Sequence, residues 1–206
     1  MEGSTDLAIL RAFAKILNHP VQEHLDKPFV HYVLNQPLRA RDHFHGLREA
    51  KPDLVGMAIY DRLAQELLDD PYLKQRMWKK REIENYLCDR NVLIEWAGAK
   101  ANDGPLFSTS WKSAMNDVIA ELESALNTLG KPSPWSDDCK VTDDFLDPLF
   151  TKFFKQLNLQ NLIRKSNYHE LASFVRAEDI DREITETLDA IVDIANSARP
   201  SSGRRD

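Results

Sequence analysis

The chain has 206 residues, of which 42% are hydrophobic and 29% are charged, and its formal net charge is −6. These values are typical of one compact domain, or of one and a half, with a charged surface. The acidic balance excludes a protein that grips nucleic acid over its whole surface. No apolar run approaches the ~18 residues that a membrane-spanning helix needs. Two widely separated cysteines, Cys88 and Cys139, favour reduced thiols in a cytoplasmic protein.

The first half of the chain alternates helical and strand-like patterns. Apolar residues at i, i+3, i+4 and i+7 indicate helices, and short runs of β-branched, aromatic and other apolar residues indicate strands. The run that ends at Tyr60 is almost continuously apolar, as expected for a strand buried on both faces of a parallel sheet. The sequence predicts helices over residues 5–17, 39–50 and 91–99, and strands over residues 29–33, 54–60 and 77–84.

The second half of the chain is helical throughout. An apolar stripe from Trp111 to Leu129 stops at Gly130 and Pro132, and further helical patterns cover residues 145–162, 166–175 and 177–198. We therefore predict an α/β domain with a parallel sheet over residues 1–98 and a helical extension over residues 99–198. The arginine-rich tail, residues 199–206, is expected to be disordered.

Acidic residues stand where predicted strands end and helices begin. Glu2 lies where a strand should finish, so we expect the strand before it to be missing and the chain to start inside a domain. Asp6 follows at the opening of the first helix, and Asp61 follows the apolar strand. Because ligand sites in parallel sheets lie beyond the carboxyl ends of the strands, Glu2 and Asp61 should lie on the same rim. Carboxylates that converge there predict a divalent metal site.

Asp6, Asp61 and two later acids, Glu82 and Glu84, also have simpler explanations. Asp6 is favoured in the first turn of a helix by the helix dipole. Asp61, at the end of a buried strand, needs a partner, and Arg62 or another basic neighbour could provide it through an ion pair. Glu82 and Glu84 would share one face of a strand. That face could contribute to the acidic site, or it could be a solvated surface paired with neighbouring basic residues.

Two segments together resemble a known family. The opening Glu2-Gly3-Ser4-Thr5-Asp6-Leu7-Ala8-Ile9-Leu10 resembles the start of a TOPRIM domain. With Arg81-Glu82-Ile83-Glu84-Asn85-Tyr86-Leu87, it is similar to the TOPRIM nuclease domains of the OLD-family (overcoming lysogenisation defect) ATP-dependent endonucleases. The second segment is the more specific of the two. The resemblance covers about the first ninety residues, and the helical part more loosely.

The resemblance implies a nuclease with a two-metal Mg²⁺ or Mn²⁺ site. Glu2 would be a ligand or the general base, Asp6 the second acidic position, and Asp61 the first aspartate of a DxD motif. Glu82 and Glu84 would extend the acidic site. The motif departs from the family at its second aspartate, which is Leu63 here, so other groups would have to bind one of the metals. A late basic position matches Lys165, which would stabilise charge in the transition state; the alternative is an ordinary surface lysine near a helix start.

The implied partners are DNA and an ABC-type ATPase domain or subunit, together with a second copy of the chain in a homodimer. The ATPase domain would precede the TOPRIM domain and lies outside this sequence. Such a protein would cut or nick DNA in phage defence or DNA processing. A catalytically incomplete TOPRIM module that docks on the ATPase is the alternative. A different phosphotransfer, as in primases or topoisomerases, ranks last, because no tyrosine stands in the context of a topoisomerase nucleophile.

Overall fold

The computed structural model describes residues 1–26, 28–101 and 105–199. Helices dominate, and one small sheet lies in the first half of the chain. The elements in chain order are α1 (Ser4–Ile16), α2 (Gln22–Asp26), α3 (Pro37–Ala50), β1 (Gly56–Tyr60), β2 (Leu73–Met77), a first 3₁₀ turn (Ile83–Tyr86), α4 (Arg90–Lys100), α5 (Pro105–Thr128), a π-helix (Thr142–Leu146), α6 (Asp147–Gln156), a 3₁₀ segment (Lys165–Phe174), a short 3₁₀ turn (Ala177–Asp179) and α7 (Arg182–Ser197).

The strands β1 and β2 pair in parallel, with Gly56 opposite Leu73 and Tyr60 opposite Met77. The expectation of an α/β protein with a parallel sheet is therefore confirmed, although the described residues form only two strands. A pair of strands is too small to define a TOPRIM strand order, so that finer assignment stays a prediction. The helices predicted over residues 5–17, 39–50 and 91–99 are confirmed as α1, α3 and α4, each within two residues.

Two predicted strands are wrong. Residues 29–33 have strand-forming side chains, but among the described residues the only sheet is β1–β2, and this segment is not part of it. Val33 N donates to Met1 O at 3.0 Å, and Phe29 is 86% exposed. A strand forms only where a neighbour satisfies its backbone groups. The strand predicted over residues 77–84 is wrong for a different reason. The strand β2 ends at Met77, and Arg81 N then donates to Asp137 O at 2.8 Å, which turns the chain away from the sheet.

The two faces of β1 pack in different cores. Ile59 belongs to the main hydrophobic core, whereas Ala58 and Tyr60 pack with Phe44 of α3 in a smaller core. The main core joins α1, α4, α5, α6, α7 and the 3₁₀ segment, so it draws on residues before and after position 98. The domain division at residues 98 and 99 stays a prediction. The largest fully buried side chains of the main core include Trp96, Phe13, Phe145, Phe150, Phe153 and Tyr168.

In the second half of the chain, the helix predicted to stop at Gly130 ends close to that residue. The helix α5 ends at Thr128, two residues before Gly130, which has a φ of 65° that favours glycine. The helix predicted over residues 177–198 begins later, as α7 after a 3₁₀ turn. The predicted tail, residues 199–206, lies outside the described residues from position 200 onward. Among the helices that the structure describes, none has the length and apolar character needed to cross a membrane.

Candidate functional site

The centre of the site is a pair of carboxyl groups at the end of β1. Asp61 directly follows the strand, and its backbone N–H donates to Asn35 Oδ1 at 2.9 Å. Glu2 lies just before α1, and its carboxyl group is close enough to that of Asp61 to raise the pKa of Asp61. The predicted proximity of Glu2 and Asp61 is therefore confirmed. An ion pair between Asp61 and Arg62 is not formed, because Arg62 Nη2 lies 2.5 Å from Asp138 Oδ1 and pairs with that residue instead.

The contact between these two carboxyl groups changes the protonation of Asp61. Burial raises the pKa of Asp61 to about 9, and the hydrogen bond and charge of Glu2 act in the same direction, as do the charges of Asp6 and Glu84. This raised pKa favours the protonated form of Asp61 at neutral pH. A half-buried acid at the end of a strand, with other acids around it, is the kind of group that functional sites contain.

Asp6 connects this pair to α1. Its Oδ2 accepts a hydrogen bond from Glu2 N at 3.0 Å, which fixes the chain as it enters the helix. Burial raises the pKa of Asp6 and the neighbouring Glu2 charge adds to the effect, whereas hydrogen bonds from the backbone of Glu2 and Gly3 oppose it. Asp6 is thus both the first-turn acid of α1 and a member of the acidic group, so the two interpretations from the sequence are compatible.

Glu82 and Glu84 reach the site from a turn and not from a strand, so the predicted shared strand face is wrong. Glu82 precedes the first 3₁₀ turn, where its N–H donates to Asn85 Oδ1 at 3.0 Å and its Oε1 accepts from Thr142 N at 2.5 Å. Both glutamates are 2% exposed, so the solvated-face alternative is wrong too. Glu82 therefore joins this turn to the π-helix of the second half.

Glu84 is the buried acid that lies closest to a cation. Its Oε1 lies 3.5 Å from Lys165 Nζ, yet this oxygen has no hydrogen-bond partner among the described residues. Burial raises the pKa of Glu84 to about 7; the charge of Lys165 opposes this, and the charges of Glu82 and Asp6 add to it. Glu84 is therefore partly protonated near neutral pH, and its oxygen is free to accept a bond from a cation or a donor.

Lys165 stands among all of these acids. It begins the 3₁₀ segment, which packs along α1 and so brings a residue from late in the chain to the amino-terminal site. Burial alone would lower the pKa of Lys165, but surrounding carboxylates outweigh burial and raise it. Those carboxylates belong to Glu84, Glu82, Glu2 and Asp61. The structure therefore brings together all six residues selected from the sequence, which we call the acidic cluster: Glu2, Asp6, Asp61, Glu82, Glu84 and Lys165.

Several neighbours of the acidic cluster were not singled out from the sequence. Tyr168 is buried, and its hydroxyl donates to Asp147 Oδ1 at the start of α6. The charge of Glu84 acts on the Tyr168 hydroxyl, and the charges of Glu82 and Lys165 act on Lys140. These residues have no telling spacing in the sequence. Tyr168 reaches the site on the 3₁₀ segment that packs along α1, and Lys140 lies two residues before Thr142, whose N–H donates to Glu82.

The acidic cluster has the side-chain types of a metal site, but these side chains are not arranged as metal ligands. Among the described residues, no three His, Cys, Asp or Glu side chains are grouped so that they could hold a metal ion. The donors nevertheless fit a hard divalent cation, because such ions prefer carboxylate oxygens. Glu84 Oε1 is buried and lacks a hydrogen-bond partner among the described residues, so this oxygen could accept a bond from a cation. Leu63 offers no ligand and packs against the smaller core.

Comparison of the chain with protein-family models, with curated proteins and with solved structures finds no match. The chemistry of the acidic cluster therefore has to be argued from its own residues.

Proposed function

We propose that this chain is the nuclease portion of an OLD-family ATP-dependent endonuclease, and that its TOPRIM-type site cuts or nicks DNA with Mg²⁺ or Mn²⁺. The observation that carries the proposal is the convergence of five carboxylates and one lysine on the end of β1. These residues come from four separate segments of the chain, and Glu2 is close enough to Asp61 to raise the pKa of Asp61. Buried like charges cost free energy, so their convergence is explained best by a cationic ligand.

Some residues of the acidic cluster would bind the cation, and Lys165 would interact with the phosphate. Glu2, Asp61 and Glu84 would hold the cation, supported by Asp6, which fixes Glu2, and by Glu82, which fixes the turn that carries Glu84. When bound, Mg²⁺ or Mn²⁺ supplies a nucleophilic water and Lewis-acid stabilisation of phosphate charge. Glu2 would serve as a ligand of that cation or as the general base. Lys165 would stabilise the negative charge that develops on the phosphate.

Cleavage of supercoiled plasmid tests this function directly. The purified chain is incubated with Mg²⁺ or Mn²⁺ beside the near-isosteric variants Glu2→Gln and Asp61→Asn. Glu123→Gln is the matched control, because Glu123 is a half-buried carboxylate that pairs with Arg90 outside the acidic cluster. We expect metal-dependent nicking that falls at least about a hundredfold in the two cluster variants and persists in the control. Nicking that both cluster variants retain would exclude this mechanism.

A second function is favoured by one specific observation. The second DxD position, Leu63, is apolar and packed, and the described residues contain no finished metal site. A catalytically incomplete TOPRIM module that docks on an ABC-type ATPase would have these features. It predicts a folded chain that Mg²⁺ neither stabilises nor activates, whether or not the ATPase portion is added. Nicking that appears when the ATPase is restored would favour the nuclease instead.

A further inference from the structure

One tight turn contacts the chain beside both carboxyl groups of the pair at the end of β1. The turn covers residues 33–36, and a backbone hydrogen bond of 3.1 Å joins its last residue to its first. Val33 N donates at 3.0 Å to the carbonyl of Met1, the residue before the first acid. Asn35 Oδ1 accepts from Asp61 N at 2.9 Å. The turn therefore holds the two segments that carry these acids.

The hydrogen bond from Asp61 lies on the edge of β1 that faces away from β2. Tyr60 O and Arg62 N, on either side of Asp61, both bind the segment that follows β2, at 3.0 and 3.1 Å. Because successive backbone groups of a strand point to opposite edges, Asp61 N points to the other edge, where the described residues place no strand. The side chain of Asn35 thus supplies the acceptor that a neighbouring strand would otherwise supply.

The backbone of this turn is strained at one residue. Leu34 has a φ of 50° and Asn35 a φ of 58°, so both lie in the left-handed region. Asparagine tolerates this region, whereas leucine adopts it at a cost in free energy. Leu34 is 61% exposed, so burial of its side chain does not offset that cost. Strain of this kind persists where surrounding contacts over-determine the conformation, and it is common at functional sites.

We propose that Asn35 is a positioning residue for the acidic cluster: its Oδ1 fixes the backbone at Asp61, and so fixes where the Asp61 carboxyl group lies beside Glu2. Because Val33 of the same turn holds Met1, the turn sets the spacing of the two acids as one unit. Groups that orient metal ligands in this way change metal affinity without touching the ion. The proposal rests on the metal-dependent function proposed above, and Asn35 lies outside the two segments that carry the TOPRIM resemblance.

Binding of Mn²⁺ tests this role without DNA and without turnover. The loss of the electron paramagnetic resonance signal of free Mn²⁺ gives the Kd of the wild-type chain and of each variant. Asn35→Gly removes the acceptor and introduces a residue that adopts positive φ without strain, so we expect Kd to rise about 10–100-fold. Asn158→Gly is the matched control, because Asn158 has a φ of 55° directly after α6 and is not a member of the acidic cluster. The control should keep the wild-type Kd.

Amide hydrogen exchange at Asp61 N, followed by NMR, tests the hydrogen bond itself. The exchange rate should rise at least about tenfold in Asn35→Gly and stay at the wild-type value in the control. Asn35→Asp keeps the accepting oxygen, so it should restore slow exchange. In the nicking assay at saturating Mn²⁺, Asn35→Gly should lower the maximal rate about tenfold and leave the half-saturating DNA concentration unchanged, as expected when an acid is misplaced.

The comparison of the two glycine variants decides the proposal. It is overturned if Asn35→Gly and Asn158→Gly bind Mn²⁺ alike, or if Asp61 N exchanges equally slowly in both. If Asn35→Gly does not fold, Asn35→Ser replaces it, because the shorter side chain withdraws the oxygen from Asp61 N. A wild-type chain that binds no Mn²⁺ would overturn this proposal and the nuclease together. Mn²⁺ binding that depends on Asn35 without any nicking would count against the nuclease alone.

Discussion

Replacing Asp61 by asparagine should stabilise the fold at alkaline pH, although a side-chain charge is lost. The pKa of Asp61 is raised to about 9 in the folded chain, against an ordinary value of 3.8. Between these two values the folded state binds more protons than the unfolded state, so the free energy of unfolding falls as the pH rises. Asparagine has nearly the same shape, can donate to Glu2, and carries no such penalty.

The size of the effect follows from the two pKa values. At pH 8 the full penalty would be about 6 kcal/mol, at 1.36 kcal/mol for each pH unit above the unfolded pKa. Because Asp61 is only half-buried, water screens its charge and reduces much of this free-energy penalty. We therefore expect about 2 kcal/mol at pH 8 and about 0.5 kcal/mol at pH 5. For a chain of this length, 2 kcal/mol raises Tm by roughly 4–8 °C.

Thermal unfolding followed by tryptophan fluorescence between pH 5 and pH 8 measures this difference. Asp53→Asn is the control, because Asp53 is exposed and the hydrogen bond from Lys51 lowers its pKa, which is the opposite of Asp61. The control should not gain stability over the wild type as the pH rises. If Asp61→Asn were no more stable than the wild type at pH 8, or if the two pH profiles ran parallel, the raised pKa of Asp61 in the folded chain would be refuted.

Three further measurements test other parts of the structure. Gly56→Ala should destabilise the fold by about 1–3 kcal/mol in urea unfolding, because the added Cβ would lie 2.8 Å from Phe44 Cε2. Gly46→Ala is the control: its added Cβ would meet no atom within 4 Å on an ordinary helix, so this substitution should stabilise the fold by about 0.4–1 kcal/mol. Tyr86→Phe should cost about 1–3 kcal/mol in the same assay, because it removes a hydrogen bond to the buried Glu183 carboxylate. Addition of 10 mM Mg²⁺ at pH 8 should raise Tm and EDTA should reverse the rise, while the Asp61→Asn variant should respond less.

Local patterns in the sequence predicted the elements whose structure follows from their own residues. The helix α1 has apolar residues at helical spacing, and β1 is a continuous apolar run that both of its faces bury. The segment 29–33 has equally strong strand-forming residues, yet its state depends on whether another strand lies beside it. A propensity for strand describes how side chains fit a sheet, and it does not create the neighbour that the backbone needs.

Strand topology explains why part of the site could be predicted as well. Asp61 was expected at the carboxyl end of a buried strand, and it does follow β1. Glu2 was expected on the same rim at the end of its own strand, but the only sheet of the described residues is β1–β2, and Glu2 comes close to Asp61 at the start of α1 instead. The surroundings of Glu84 could not be derived in the same way. Its environment is made by Lys165, which lies about eighty residues later and arrives through the packing of the 3₁₀ segment on α1. Only the family resemblance singled out that lysine.

The contacts of the acidic cluster make the helical extension part of the site. Glu82 would lose its bond from Thr142 N without the π-helix, and Glu84 would lose the nearby Lys165 without the 3₁₀ segment. Both glutamates are buried, and a buried carboxylate that loses its partner destabilises a protein by several kcal/mol. A chain cut near residue 98 would therefore keep β1, Glu2 and Asp61 but would place two unpaired acids beside them. The first half of the chain can assemble this site only because the helical second half supplies the Thr142 N–H for Glu82 and the Lys165 ammonium for Glu84.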